Sequence, residues 1–500
     1  MAKKPSVELG EVFAMPQPGG AWGACQVVRI DGRQVEAVSL DHVGDAQPTL
    51  ATVTPRALVC ERYSLHREVA RLHAIDAVPE DFVSLGAFDP VLPAEPASRN
   101  YASWEALRDG ARGERRWLDL PDDTRRRYRE CAASNEQVTL ELPSGPLAMA
   151  RSASTVHLVF GDARGARTTP HAGDGRGFDW RVLDALPCLS RVDVRGDAPG
   201  LAAWLTTRPL VNALVWESFS ADVLDLRGTR VDHCELRPKR LATLRLPTEF
   251  DALILATRAA QPCAVEAADD GAAITLRAEV WARDDLRALS GLRAVRELTV
   301  AGFSELDFAH VAVFERVHHL TLLGAPGRVR SGEALARLTS LRSLQTWLCL
   351  EVDAVHIPLL TAHPLLTKVR MSGLCEREAE ALVARWGNDR RVSLPAPIDD
   401  DTLFATADFP LLRWPNNQRK GLVCSGYTAA AKRIVKGELT EADGAKALRA
   451  FVTGIQRAVT RTGALTPEER DDVEASWARL HARAMGRGPG AAFPAVKKAW

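Results

Sequence analysis

Cys424 is the residue of this chain best suited to nucleophilic attack, because a thiolate needs less activation than a hydroxyl. It stands in Cys424-Ser425-Gly426, which lacks the leading glycine of a nucleophile elbow. No His or Asp is spaced to sit beside it, and a buried core thiol accounts for it better. His318 and His319 are adjacent. On a strand their side chains would point to opposite faces and could not share one metal ion. Asp399-Asp400-Asp401 could chelate a divalent cation, yet the glycine and glutamate of a calcium loop do not follow, and the run reads as a solvated linker. Gly173-Asp174-Gly175-Arg176-Gly177 could cradle an anion on its amides, but no Gly-Lys-Ser/Thr follows. Arg125-Arg126-Arg127 could meet phosphate, although Asp122, Asp123 and Glu130 around it favour a solvated helix face. These readings assign no catalytic residue, no metal ligand and no cofactor.

The elements that position side chains are clearer. Alternating apolar pairs return every 19 to 25 residues: Val192/Val194, Leu214/Trp216, Cys234/Leu236, Leu253/Leu255, Ile274/Leu276, Leu298/Val300, Leu320/Leu322, Leu344/Thr346, Val369/Met371 and Val392/Leu394. A repeat of that length implies one unit stacking on the next to bury a face that it cannot bury alone. Several pairs have lead-ins at minus three, six and nine, as in Leu289, Leu292, Val295 before Leu298 and Leu335, Leu338, Leu341 before Leu344. Extra strand-like pairs, Leu224/Leu226, Leu244/Leu246 and Val265, fall between the main ones and suggest extended return segments in the middle.

With that spacing the stretch resembles leucine-rich-repeat proteins over about 200 residues. The resemblance implies a curved stack with a parallel sheet on its concave side and helical or irregular segments behind. The asparagine or cysteine that many members carry three residues after the second strand leucine is missing from most units, where Asp197, Phe219, Lys239, Arg258, Glu279, Phe303, Ala325 and Leu374 stand. Cys349 alone matches.

In such a stack the residues flanking each buried pair face a partner. The candidate protein-binding residues are His233, Glu235, Glu297, His319, Gln345, Trp347, Lys368 and Arg370. Trp347 beside Arg370 and Gln345 is the strongest cluster, because Trp and Arg dominate binding hot spots. Ala252, Ile254, Ala256, Ala273 and Thr275 would give a smooth, weakly polar floor between.

Residues 1–95 read as a small β-rich domain, with short strands between turns at Gly19-Gly20 and Asp31-Gly32. Gly10, Glu11, Phe13, Pro16, Gly20, Trp22, Gly23, Gln26 and Val27 form a pattern that resembles the opening of immunity protein family 26. That resemblance implies a non-enzymatic binder of a toxin or a related partner. Residues 96–178 read as helix, with Ser103 and Asp122 as caps, followed by a hairpin of 138–142 with 156–160 and a linker. Residues 179–397 form the repeat region. In 398–500, Thr440-x-x-Asp443 and Thr466-Pro467-Glu468-Glu469 are capping boxes before two apolar stripes at helical spacing.

Composition sets the outer limits. The 64 basic and 64 acidic residues cancel, so no nucleic-acid or anionic-membrane partner is expected for the whole chain. No signal peptide or membrane-length apolar run is evident, and nine scattered cysteines fit reduced thiols in a cytoplasm. The expected fold class is α/β: a leucine-rich-repeat-like solenoid with an N-terminal small β-barrel-like domain and a C-terminal α-helical segment. The expected function is a non-enzymatic bacterial protein-interaction module with a protein partner, in its narrower form an immunity protein that neutralises a toxin domain. A scaffold unrelated to toxins and an enzyme using Cys424 are the alternatives.

Overall fold

The structure, a computed structural model, describes residues 7–17, 21–32, 34–60, 68–69, 71–74, 77–79, 81–93, 104–161, 172–173, 175, 177–256, 263–280, 286, 289–387, 389–399, 404, 411, 417–435 and 441–485. The chain forms two compact units, Met1–Val156 with Asp179–Ser190, and His157–Phe178 with Arg191–Trp500.

In the first unit, turn residues separate short strands: β1 (Glu11–Pro16), β2 (Trp22–Asp31), β3 (Gln34–Gly44), β4 (Val59–Cys60), β5 (Glu68–Val69), β6 (Arg71–Ala74) and β7 (Val83–Ala87). Five of them form one antiparallel sheet in the order β6-β3-β2-β1-β7, while β4 and β5 pair separately. The sheet is open, with β6 and β7 as unjoined edges, which corrects the expected barrel-like closure. It buries both faces, one through Phe13, Cys25, Val27 and Ala37, the other through Val12, Ala24, Val38 and Leu40. Helix α1 (Glu105–Leu118) covers the first face, where Ser39 Oγ donates to Leu107 O at 3.1 Å. Trp104 meets Phe13 and Phe82 edge to face, with ring centroids 6.3 and 6.4 Å apart.

Three residues of the N-terminal motif have packing roles here, while Gly20 and its turn with Gly19 lie outside the described residues. Gly10 has φ +82°, and a Cβ there would lie 2.4 Å from Phe88 O. The fully buried Gln26 donates to Phe88 O at 2.9 Å and to Gly10 O and Asp89 O at 3.2 Å, and accepts from Val91 N at 2.9 Å. A Cβ on Gly23 would touch Ala111 of α1 at 3.0 Å.

Helix α2 (Asp122–Ala132) follows, with Pro121 rather than Asp122 at its N-cap. Its arginine run is a paired face: Arg125 to Asp122, Arg126 and Arg127 to Asp123. The expected hairpin of 138–142 with 156–160 does not form: β8 (Gln137–Leu142) pairs with β9 (Gly145–Ala150) instead. The turn Pro143-Ser144-Gly145 is short enough for the next segment to return directly. Ser103, Thr440 and the Asp400-Asp401 pair lie outside the described residues.

The second unit is built on parallel strands. In chain order these are β10 (Thr155–Val159), β11 (Arg191–Arg195), β12 (Ala213–Glu217), β13 (Ser220–Asp225), β14 (His233–Arg237), β15 (Arg240–Arg245), β16 (Ala252–Ala256) and β17 (Cys263–Glu266). Then come β18 (Thr275–Glu279), β19 (Leu289–Ser290), β20 (Glu297–Asp307), β21 (His319–Arg330), β22 (Ser343–Glu351), β23 (Lys368–Ser372) and β24 (Val392–Ser393). An 11-stranded sheet has the order β10-β11-β12-β14-β16-β18-β20-β21-β22-β23-β24, and a 4-stranded sheet has β13-β15-β17-β19.

Registry in the long sheet stacks like on like. Val192, Leu214, Cys234, Leu253, Leu276, Leu298, Leu320, Leu344 and Val369 form one buried row, which the half-buried Val392 continues at the last strand. Val194, Trp216, Leu236, Leu255, Ala278, Val300, Leu322, Thr346 and Met371 form the other. One pair is shifted by two residues from its sequence assignment: Leu276/Ala278 face inward, while Ile274 is buried just ahead of the strand. Alternation alone cannot say where a strand begins, because a slip of two residues preserves the faces.

This architecture corrects the expected leucine-rich-repeat-like solenoid, although the coarser α/β class fits. The segments between strands follow no single unit. Some are a single 3-10 turn, as at Gly332–Arg337; some are short helices, α3 (Leu201–Leu205) and α4 (Phe308–Val311); one is a full helix, α5 (Glu376–Trp386). In the middle they are strands, where Leu224, Leu244 and Val265 are in register in the second sheet. Strand lengths in the long sheet also range from 2 residues in β24 to 12 in β21. The bends lack one polar ladder and are met individually. After β12, Phe219 stacks on Trp216 with centroids 4.3 Å apart, and Trp216 Nε1 donates to Gly196 O at 2.9 Å.

Three helices end the described chain: α6 (Asn417–Val435), α7 (Glu441–Thr462) and α8 (Pro467–Met485). Their apolar stripes share a core around Tyr427, Phe451, Ile455 and Leu480. Thr466 and Glu469 form a reciprocal capping box, Glu469 N donating to Thr466 Oγ1 at 3.2 Å and Thr466 N to Glu469 Oε2 at 2.9 Å. Arg419 joins the three ends, pairing with Glu469 and donating to Thr462 Oγ1 at 2.7 Å.

Two outcomes follow for stability. Gln26→Leu strands the carbonyls of Phe88 and Asp89 and the amide of Val91 and should lower the unfolding free energy of the first unit by about 2–4 kcal/mol, measured by urea titration. His363, 1% exposed, has its pKa held below 6.5 by burial, against a weaker opposing pull from the Leu338 backbone. Its neutral form belongs to the folded state, so the unfolded chain binds more protons as the pH falls below about 6.5. Stability should therefore decline from about pH 7 to about pH 5, and His363→Leu should reduce the shift in urea midpoint across that range.

Candidate functional site on the outward face of the long sheet

Burying two rows of each strand leaves three rows outward. The first runs Arg191, Ala213, His233, Ala252, Thr275, Glu297, His319, Ser343, Lys368. The second runs Asp193, Val215, Glu235, Ile254, Arg277, Thr299, Thr321, Gln345, Arg370. The third contains Glu217, Arg237, Glu279, Ala301, Leu323, Trp347 and Ser372. All eight candidate residues lie on these rows, but they divide between two regions.

Around β14, charges are matched within the fold. Arg237 donates to Glu217 Oε1 at 2.9 Å and through two nitrogens to Glu279 at 3.1 Å, and it also pairs with Glu235. Glu279 is two strands from Arg237, and Ala256 on the strand between is small enough to leave the way clear. Burial opposes the Arg237 charge, but bonds to the three glutamates outweigh it and carry its pKa upward. His233 sits against Asp232, Nδ1 to Oδ1 at 2.9 Å, and Asp251 lies 3.7 Å from its Nε2. Glu235 and His233 are thus held by their own sheet. The floor beside them is more charged than expected, because the two-residue shift in β18 puts Arg277 and Glu279 outward.

At β20 to β23 the picture differs. The Arg370 guanidinium carbon lies 4.9 Å from the centre of the Trp347 ring, a stacking distance for a cation on an indole. Trp347 is 41% exposed, and Leu348 beside it 36%. Gln345 is in register with Arg370, and Ser343 with His319 and Lys368. Lys368 and Arg370 have no ion pair among the described residues. Glu297 adjoins His319 in register and lies 3.4 Å from Thr275 Oγ1. The chain turns sharply after Trp347: Leu348 has φ +51°, and a Cβ on neighbouring Gly373 would lie 2.7 Å from the Leu348 backbone.

Among the described residues, the other chemistry-bearing side chains singled out in the sequence do not come together. Cys424 lies inside α6, partly buried against the C-terminal core. Burial raises the thiols of Cys25 and Cys234, carries Cys349 up to about 12 and Cys263 to about 11, so these thiols stay protonated at neutral pH. His318 lies just before β21 and His319 outward on it. The glycines of the 173–177 loop serve local turns, and a Cβ on Gly175 would meet Asp197 O at 2.3 Å. One set the sequence reading missed is Glu333, Asp353 and His356, whose ligand atoms lie within 4.8 Å of one another. Asp353 is already engaged on both oxygens, by His356 Nδ1 at 2.7 Å and Gly332 N at 2.8 Å. Glu217, Arg277 and Glu279 were also missed, and the signal for them was the alternation continued one step past each buried pair.

No family model matches the chain, and no curated protein matches it. Among the described residues no helix is long and apolar enough to cross a membrane.

Arg237→Ala leaves Glu217, Glu235 and Glu279 facing one another without their shared cation. A loss of about 1–3 kcal/mol, partly recovered by added salt, is expected in urea unfolding, the partial exposure of the site keeping it below the cost of a fully buried pair.

Proposed function

We propose that the chain is a non-enzymatic protein-recognition module whose docking face is the outward side of β20 to β23, centred on Trp347 and Arg370. The observation that carries this reading is the exposed Trp347 ring with Arg370 stacked on it at 4.9 Å, on a rigid strand and beside Lys368. A large apolar ring left 41% in water is a standing cost that a partner would remove. Stacking uses the flat face of the guanidinium and leaves its edge donors open to a carboxylate. Charge complementarity therefore selects a partner with an acidic group next to an apolar side chain.

The narrower form, neutralisation of a toxin domain, rests on the motif from Gly10 to Val27. A scaffold with another cellular partner uses the same face, and the genes beside this one separate the two. An enzyme built on Cys424 has less in its favour, since its helix packs that residue among apolar neighbours.

A photoreactive residue at Gln345, crosslinked in the source cell, should yield one protein adduct identified by mass spectrometry. Trp347→Ala should then weaken that partner at least about tenfold while leaving the melting temperature within about 2 °C, because the side chain is a hot spot and not core. Unchanged affinity in both Trp347→Ala and Arg370→Glu would remove the proposed face.

A further inference from the structure

The cleft between α6 and α7 is distinct from the sheet face and independent of the reading above. Two stripes at helical spacing line it: Leu422, Ser425, Gly426, Ala429 and Arg433 from α6, and Lys446, Arg449, Ala450, Thr453, Gly454 and Arg457 from α7. Its volume is about 420 Å³, within the range of small-molecule sites. The helices touch where two glycines meet: a Cβ on Gly454 would lie 2.8 Å from Leu422 O, and one on Gly426 3.1 Å from Ala450 O. That close crossing forms the floor, and the long basic side chains rise from its rims.

Among the described residues, Arg433, Lys446, Arg449 and Arg457 have no ion pair and no carboxylate lines the cleft. For the three arginines the sequence explains why. The positions three and four away from Arg433, Arg449 and Arg457 hold Ala, Gly, Thr, Val, Lys or Arg and never an acid, whereas Lys446 has Asp443 at that spacing, a side chain outside those described. Lys446 and Arg449 are themselves three apart, so like charges face each other along one helix, which opposes folding. Elsewhere in this chain arginines are commonly matched, as Arg227 is to Asp225 and Arg391 to Asp389. An unmatched group of cations over a pocket with an apolar floor is a focus for negative charge.

We infer that this cleft binds a small ligand carrying several linked phosphate groups. Three guanidinium forks suit phosphate oxygens in pairs, and the cations span about 16 Å of helix from Lys446 to Arg457, so a linear polyanion reaches more of them than a single carboxylate can. Ser425 Oγ, with no hydrogen bond among the described residues, adds a neutral donor at the rim. Thr453 does not, because its hydroxyl already donates to Arg449 O at 2.8 Å.

The test is calorimetric titration of the full chain with inorganic tripolyphosphate at low salt. Tripolyphosphate should bind at least about tenfold more tightly than orthophosphate, and the double variant Arg449→Ala/Arg457→Ala should lose at least about tenfold in affinity. Both side chains are exposed, and Arg449→Lys/Arg457→Lys, which keeps the charge, should retain most of the binding and show that the fold is intact. Absence of tripolyphosphate binding, or equal affinity in the wild type and the alanine variant, overturns the assignment. So does a single-stranded oligonucleotide that binds more tightly than tripolyphosphate and loses affinity in the same variant, which would make the cleft part of a nucleic-acid surface.

Discussion

The zero-stagger register of the long parallel sheet is the constraint on which the second unit depends. Leu214, Cys234, Leu253, Leu276, Leu298, Leu320 and Leu344 are successive partners, so each strand buries its apolar pair against the pair before it and after it. A slip of one residue at any strand would turn that pair to water and expose its neighbours' flank. Each fully buried leucine contributes on the order of 2 kcal/mol, so turning one pair to water costs about 4 kcal/mol, a large fraction of the roughly 5–15 kcal/mol that stabilises an ordinary domain. The return segments are free to vary because they do not set the register. Extended backbone, a 3-10 turn or a helix can serve, provided that the next strand starts level with the last.

The same register decides which outward charges meet. Residues on one row are about 4.8 Å apart from strand to strand, near enough for long side chains to pair with the next row member or, over an alanine, the one beyond. Arg237 does both, reaching Glu217 on one side and Glu279 across β16 on the other. Near β22 the rows hold Thr299, Thr321, Gln345 and Ser372 instead, and no carboxylate is in register with Arg370. Its guanidinium turns to the Trp347 ring. One sheet thus carries a self-neutralised cluster around Arg237 and, on β23, Lys368 and Arg370 without an ion pair among the described residues, a difference that follows from a few outward residues and owes nothing to the core.

Much of the strand placement was legible in the sequence, for a physical reason. A strand buried on one face must alternate, and the pairs from Val192/Val194 to Val369/Met371 do so against polar flanks. What alternation does not carry is the geometry of the return. The L-x-x-L lead-ins at Leu335, Leu338 and Leu341 read as one repeating unit, yet they fold as a 3-10 turn and an irregular segment, while other returns are strands. The hairpin after α2 was misassigned for a related reason, since Gly145-Pro146-Leu147-Ala148-Met149-Ala150 has neither β-branched residues nor clean alternation, but still pairs through its backbone. The outward candidate residues could be read from periodicity. Their grouping could not, because Arg237 and Glu279 are 42 residues apart and meet only through a strand order that the sequence does not state.

Arginine content is a poor guide to binding in this chain, and the spacing of acids is a better one. Several arginines with an acid two to four residues away are absorbed locally: Arg125 by Asp122, Arg181 by Asp179, Arg227 by Asp225, Arg391 by Asp389. Those pairs are exposed and fix little more than a side chain's direction. Where the acid is distant but brought close by the fold, as for Arg237 and Arg419, the arginine ties elements together. Where helical spacing supplies no acid, as for Arg433, Arg449 and Arg457, the charge stays turned to the surroundings. A net charge of zero averages over these three situations. The absence of an overall basic excess therefore limits what the whole surface attracts at long range, but leaves a short-range cationic cleft fully compatible with a neutral chain, because screening confines each such field to about 10 Å.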